Sequence, residues 1–494
     1  MLTEQEIKTF IDKDLASDAK QQAMEGERYY QGDHDIKKKR IFFVNADGVL
    51  EEDKTKVNTR ICHMFFMENV DQTVQYLFAA CEGEDAEPIF QSELPELQEE
   101  LDELFNENDD FMAEISDVVE GAVKKGFEYA YIYKDDDGKT RVKCADSLGV
   151  VKVRAEATDD HCEYVIRYYT DTVEKDSKAI RRIEVWDDHQ TTFFVQEGDG
   201  EIRLDDSQEH NPRPHTFLKK KGDKKTYFEG FGFIPFIELP YNKDRTSGLL
   251  PIKDLIDDYD EMNCGLSNMI IDTAEALYVV TNFDGDDLDE LMLNIKAKKH
   301  IGVDENGGVE IKTIDIPVDA RKAKMDEDKR NIYQFGQMFN VEGLKDTAAT
   351  TNLAIEQAYY HLELKRVKLA KKVKQFLRKI AKIALDEINK GKGTQYTMKD
   401  VKIIFKKKVP TNEKENAEVE QLRANTKQTE VNTILNIGER MDDDTVLEKI
   451  CEEMGYDFDK IKSKLPKAEP EPVPTAPAKA ALEQLPPEDG DMSA

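Results

Sequence analysis

Long hydrophobic runs are missing from this sequence. No apolar stretch approaches the roughly 20 residues that a bilayer span requires, so no membrane partner is expected. The opening residues, MLTEQEIKTFIDKDL, have neither the basic n-region nor the apolar h-region of a signal peptide. The expectation is a protein made and kept in a cytoplasm, or in something assembled there. Cysteine is sparse: six residues are scattered without CxxC spacing, which suits a reduced compartment and no disulfides.

Signatures of chemistry are missing too. No GxxxxGK[ST] phosphate loop occurs, and GKGT at Gly391 lacks the upstream glycine and strand. HExxH and GxSxG are absent. The pairs Cys62–His63 and His161–Cys162 lie far apart, and adjacent side chains point in different directions, so neither offers a chelating face. DDDG at Asp135 and DENGG at Asp304 lack the terminal ligands of a calcium loop and are read as hairpin turns. Carboxylates are too numerous for a catalytic pair to stand out. No catalytic residue, metal or cofactor is expected, and the chain is read as a non-enzyme.

Positive charge is the scarce sign. Against 103 Asp and Glu there are 70 Lys and Arg, a formal net charge of -33, which disfavours non-specific adhesion to nucleic acid or anionic membrane. One stretch reverses the balance: from Lys365 to Lys382 there are nine Lys or Arg and no Asp or Glu. That band is either a solvated face that neutralises an acidic neighbour or a surface that meets an acidic partner or DNA phosphates.

The 494 residues suffice for about two to four domains. Helical periodicity dominates the first 110, best in NTRICHMFFMENVDQTVQYLFAAC, where Ile61, Phe65, Val70, Val74 and Leu77 recur. From Gly126 the period becomes two, and residues 127 to 240 read as an antiparallel sheet that needs the N-terminal helices to cover one face. A helix follows Pro251 and runs to about Ala276. Two short strands, LYVVTNF and VEIKTIDI, flank the insert GDDLDELMLNIKAKKH. Next come a helix of mixed charge, VDARKAKMDEDKRNIYQFGQMF, and a small polar loop. The longest helix runs from about Leu353, with a seam through Ile355, Tyr359, Leu362, Arg366, Leu369, Val373, Phe376, Ile380, Ile383 and Glu387. The alternating spacing of four and three predicts a coiled-coil-like seam that asks for neighbours. VKIIFK at 401 to 406 reads as a short strand. From Pro466 the chain holds seven of its sixteen prolines and reads as a disordered tail.

The segment FEGFGFIPFIELPY at 228 to 241 crowds aromatics without one Lys or Arg, just before a charged amphipathic stretch. Taken with NTRICHMFFMENVDQTVQYLF, GFEYAYIYKDDDGK, VIRYYT, EVWDD and the following NKDRTSGLLPIKDLIDDYDEMN, it resembles the portal proteins of tailed bacteriophages, the siphovirus head-to-tail connector family. The likeness in element order extends from roughly residue 20 to 390, and its most specific part is GFGFIPFIELPYN followed by the LIDDYD helix.

The resemblance implies an α+β portal-type fold. It comprises a wing of helices and antiparallel sheet (1–248), a stem helix (249–276), a small α/β clip (277–317) and a second stem helix (318–339). A tunnel loop (340–352), a long helix (353–392), a helical crown (393–465) and the tail (466–494) follow. It implies a ring of about twelve subunits around a channel for double-stranded DNA, docking the terminase large subunit and a head-completion or adaptor protein, among major capsid and scaffolding proteins. The place is the portal vertex of a virion assembled in a bacterial cytoplasm. On this mapping Glu342, Lys345, Asp346, Thr347, Thr350 and Thr351 belong to the channel loop, with Lys322, Lys329 and Arg330 lining the channel. Asp284, Asp286, Asp287, Lys296, Lys298, Lys299 and His300 form the partner-docking clip. The aromatic segment would lock the wing sheet to the first stem helix. Where related portals carry S-G-x-A after the loop, this chain has TAATTNLAIEQ, which keeps small residues without the glycine. Twelve helices of about 10 Å diameter enclose a lumen of roughly 28 Å, and B-DNA needs on the order of 20 Å. An acidic chain would let phosphates slide rather than grip. The alternative is an acidic soluble scaffold or adaptor that binds a basic partner. A hydrolase with an unrecognised carboxylate pair is a weaker rival.

Overall fold

The computed structural model describes residues 1–464 except 82–85, 136–138, 155–161, 172–178, 220–225, 274–276, 284–302, 313–316, 341–351, 408–412 and a few single positions. Helix and antiparallel sheet are mixed along the chain, which divides into two units, Met1–Pro410 and Thr411–Ala494.

In the first unit, helix α1 (Glu4–Leu15) is opened by a capping box between Thr3 and Glu6. Helix α2 (Asp18–Tyr30) follows after the Ser17 cap. Helix α3 begins only at Phe65 and ends at Phe78, later than the periodicity predicts. Ile61 lies instead in an exposed extended segment whose amide donates to the Cys264 sulfur. Helices α4 (Pro95–Leu101) and α5 (Asp109–Lys125) complete the helical layer. At the end of α5, Gly126 adopts φ 89 and hands the chain directly into the strand Phe127–Lys134.

The expected single sheet is two main ones. Strand 127–134 is central in a three-stranded sheet, with Thr140–Ala145 on one side and Phe236–Pro240 on the other. A tight turn at Ser147–Gly149 then redirects the chain into a larger antiparallel sheet over Val150–Pro214. Helix α1 covers that larger sheet, placing Ile7 and Ile11 against Val153, Ile166, Ile183 and Phe194, so the expected helical cover is present. The lone tryptophan, Trp186, bridges the sheets through Tyr131 and Phe236, at ring-centroid distances of 5.3 and 5.4 Å.

The aromatic segment ends as an edge strand in register with strand 127–134, from Phe236 opposite Tyr131 to Pro240 opposite Phe127. Past it the pairing continues: Tyr241 N donates to Gly126 O (2.9 Å) and Gly248 N to Val123 O (3.0 Å). Ser247 Oγ donates to Lys124 O (2.5 Å). Leu249, Ile252 and Ile256 then enter the core beside α3 and α5. Helix α6 (Lys253–Thr273) therefore starts from a fixed point.

Strands Leu277–Phe283 and Val303–Lys312 pair antiparallel. DENGG, expected as a turn, lies inside the second strand, opposite a register shift at Thr281–Phe283. Helix α7 spans Val318–Phe335, and α8, the longest, spans Asn352–Lys392. The α8 seam is a core face and not a coiled-coil seam: Leu369, Val373, Phe376 and Ile380 are buried against this chain's own α3, α5 and sheet residues. A spacing of 3.5 and one of 3.6 cannot be told apart over so few turns. Beyond α8, Lys402–Ile403 pairs with Phe90–Gln91.

The second unit holds helices α9 (Glu413–Gly438), α10 (Asp443–Met454, capped by Asp442) and α11 (Phe458–Lys462).

Candidate functional site

Helices α6 and α7 pack antiparallel. Lys324 reaches Asp258 Oδ2 at 2.5 Å and also pairs with buried Asp328, while Arg321 Nη1 donates to Met262 O at 3.3 Å. Gly265 leaves room for that guanidinium, since a Cβ there would lie 2.6 Å from Arg321 Nη1. The mixed charge of α7 is thus spent partly on its neighbour helix. Of the three channel-lining candidates, Lys322 and Arg330 are exposed and Lys329 is half-buried, all on α7.

The base of α6 is held by a buried carboxylate. Asp260 accepts from His34 Nδ1 (2.9 Å), His63 Nδ1 (2.6 Å) and the His63 amide (2.9 Å). The His63 ring also meets Tyr259 edge-on at 4.8 Å. Nearby, Lys253 bridges Asp35 (2.9 Å) and Asp257 (2.8 Å), and Arg28 pairs with Asp35 (2.8 Å). Burial raises the Asp35 carboxyl, but the Lys253 and Arg28 cations outweigh it and hold the group down at about 2.

The far end of α7 is fastened more firmly. On α3, Glu68, Asn69 and Gln72 present polar groups to it. Tyr333 donates its hydroxyl to Glu68 (2.9 Å), Asn69 Nδ2 donates to Gly336 O (2.8 Å), and Gln72 exchanges hydrogen bonds with the Phe339 backbone (2.9 and 3.1 Å). Helix α8 contributes Lys365, whose Nζ donates to Asn69 Oδ1 (2.6 Å) and Gly336 O (3.2 Å). With no carboxylate beside it among the described residues, burial pushes the Lys365 ammonium down to about 7. The Phe339 ring stacks on Tyr359 of α8 at 4.0 Å, and Tyr359 stacks on Tyr76 of α3 at 5.5 Å.

These contacts hold the chain on both sides of segment 341–351. Its six predicted residues, Glu342, Lys345, Asp346, Thr347, Thr350 and Thr351, lie outside the described residues, as do Asp284, Asp286, Asp287, Lys296, Lys298, Lys299 and His300. Sequence reading missed the contacts that flank this segment. Tyr359 stands in the predicted seam, yet Gln72, Asn69 and Lys365 carry no local signal. Lys365 was counted in the basic band although it is buried.

This geometry fixes the chain on either side of residues 341–351, at the end of α7 and along the first turns of α8. The sequence profile of the phage portal protein family, SPP1 Gp6-like, matches residues 12–457, and the chain belongs to that family. Members are structural, non-enzymatic components of the phage virion. The portal protein of Bacillus phage SPP1 is 28% identical over 400 residues, covering 80% of this chain and 76% of that protein. The portal protein of Clostridium phage phiCD119 is 24% identical over 379 residues, covering 73% and 77%. Among solved structures, the neck of the native GTA particle, computed with C12 symmetry, matches with a TM-score of 0.32 and 12% identity, covering 63% of this chain and 77% of that one.

Proposed function

We propose that this chain forms a ring of about twelve copies at one capsid vertex, through which double-stranded DNA is packaged and ejected. The observation that carries the reading is the family match across residues 12–457. The doubly mounted segment 341–351 supports it, because a loop that meets moving DNA must be held at its roots.

In this reading 1–248 is the wing, α6 and α7 are the stem, 277–317 is the clip, 340–352 faces the channel, 393–465 is the crown and 466–494 the tail. Lys322 and Arg330, exposed on α7, line the lumen with Lys329 beside them. Residues 284–300 dock the terminase large subunit during packaging and a head-completion adaptor afterwards, with capsid and scaffolding proteins around the wing. Assembly takes place in the bacterial cytoplasm.

Native mass spectrometry with negative-stain imaging tests the proposal. Rings of about twelve or thirteen copies with a central hole support it. A monomer or dimer across several salt concentrations would refute it and favour an acidic adaptor.

A further inference from the structure

Helix α8 has an outward face that no helix or strand among the described residues of its own unit packs over. Opposite its buried seam, Leu353, Tyr360, Leu364 and Val367 are exposed in line along the first half. The same face continues as Lys371, Arg378 and Lys382, with Lys379 to one side; all four are exposed, and Arg378 also borders a cavity with residues 398–404. Among the described residues none of these four cations has a carboxylate within ion-pair distance, although the chain carries an excess of 33 negative charges. Solvation alone explains isolated lysines, but not an apolar stripe running into a cationic one.

The complement lies elsewhere on the same unit. Between Glu93 and Glu120 the sequence has twelve Asp or Glu and no Lys or Arg. There α4, α5, the hairpin 127–145 and the C-terminal end of α8 enclose a groove of about 680 Å³. Leu104, Phe111, Ile132 and Val142 are among its apolar lining; Lys139, Arg141 and Lys392 also line it but are paired with Glu103, Asp135 and Glu100, while Asp110, Glu114 and Asp117 have no cation at ion-pair distance among the described residues. Burial and the neighbouring Glu114 and Glu120 charges raise the Asp117 carboxyl, the mark of anionic crowding that a cation would relieve.

We infer that the outward face of α8 in one subunit docks into the acidic groove of the next copy, forming the side-to-side contact of the ring. This rests on the ring reading above. Each copy would carry one basic and one acidic surface, the heterologous arrangement that closes into a ring when the rotation allows. Duplex DNA fits less well. Phosphates would satisfy the lysines but leave the collinear Leu353-to-Val367 stripe and the apolar lining of the groove uncovered.

Charge reversal tests this on the full-length protein. K371E/R378E/K382E makes both surfaces acidic, and E100K/D110K/D117K adds cations to the acidic side. By native mass spectrometry each variant alone should stay below ring size. An equimolar mixture should recover rings in which the two variants alternate, because every junction then joins opposite charges. The recovery also shows that each variant is folded. In the wild type, ring yield should fall as salt rises from about 50 to 500 mM, where screening shortens to a few ångströms.

Rings formed by either variant alone, no recovery on mixing, or a wild-type yield indifferent to salt would each overturn the assignment while leaving the ring reading intact. Intact variant rings that have lost salt-sensitive binding of a duplex oligonucleotide would give the α8 face to nucleic acid. A wild type that forms no ring removes both readings.

Discussion

The Lys365 ammonium donates to the Asn69 side-chain oxygen at 2.6 Å, and both side chains donate to the Gly336 carbonyl, at 3.2 and 2.8 Å. Three helices meet at that carbonyl, one of the orphan acceptors at the end of α7. A cation belongs at a helix C-terminus, yet here it is buried without a counter-charge among the described residues. The root of segment 341–351 is therefore rigid because its polar groups are satisfied.

The buried lysine gives the mount a pH dependence. Its folded value, about 7, lies below the unfolded 10.5, so between those values the unfolded chain holds more protons and stability rises with pH. The melting temperature of the wild type, measured against Lys365→Met, should climb from pH 7 to about 10. The Met variant removes the other titrations from the difference. A difference that stays flat across this window would mean that Lys365 does not titrate in it.

Much of this fold could be read in advance because it rests on local patterns. Tyr129, Tyr131 and Tyr133 alternate along a real strand, and the FIELP stretch does join sheet to helix. The α8 seam was placed correctly and its partner was not, since spacing tells which face is apolar but not what covers it. The mount was illegible for a related reason: Asn69 and Gln72 meet Gly336 and Phe339 across 267 positions of sequence, and Lys365 meets Asn69 across 296. The DENGG stretch bulges within its strand instead of closing a hairpin: Val303 and Gly308 pair with Phe283 and Thr281, and Asp304–Gly307 have no pairing in that register.

Phe339 and Tyr359 should govern how freely segment 341–351 moves. Their stacking at 4.0 Å is worth about 0.5–1.5 kcal/mol beyond the area it buries. Tyr359→Ala should speed limited proteolysis within 341–351 several-fold and raise hydrogen exchange at 336–340, leaving exchange in α1 unchanged. Equal protection in both proteins would show that Gln72 and Lys365 suffice.

Gly126 is the tightest test of the joint between α5 and the three-stranded sheet. At φ 89 a side chain is strained, and a Cβ would lie 2.3 Å from the Arg245 carbonyl oxygen. The same residue accepts from the Tyr241 amide, so it cannot move away without loosening the strand Phe236–Pro240. Gly126→Ala should cost about 2–4 kcal/mol, seen as a melting temperature several degrees lower. A shift under about one degree would show that the Arg245 loop yields easily.

Asp35 sets the acid side. Its folded value of about 2, against 3.8 unfolded, means that the carboxylate form is favoured by folding, because Lys253 and Arg28 outweigh the effect of burial. That contribution is present above pH 4 and is lost as pH falls toward 2. The Asp35 side chain is 46% exposed, so water and salt screen the pairs and the effect stays below about 1 kcal/mol. Wild type should therefore melt slightly above Asp35→Asn at pH 5, the gap should close by about pH 2, and salt should narrow it at pH 5. A gap that persists at pH 2 would mean that Asp35 contributes through something other than its charge, such as the acceptor oxygen that asparagine replaces with an NH2 group.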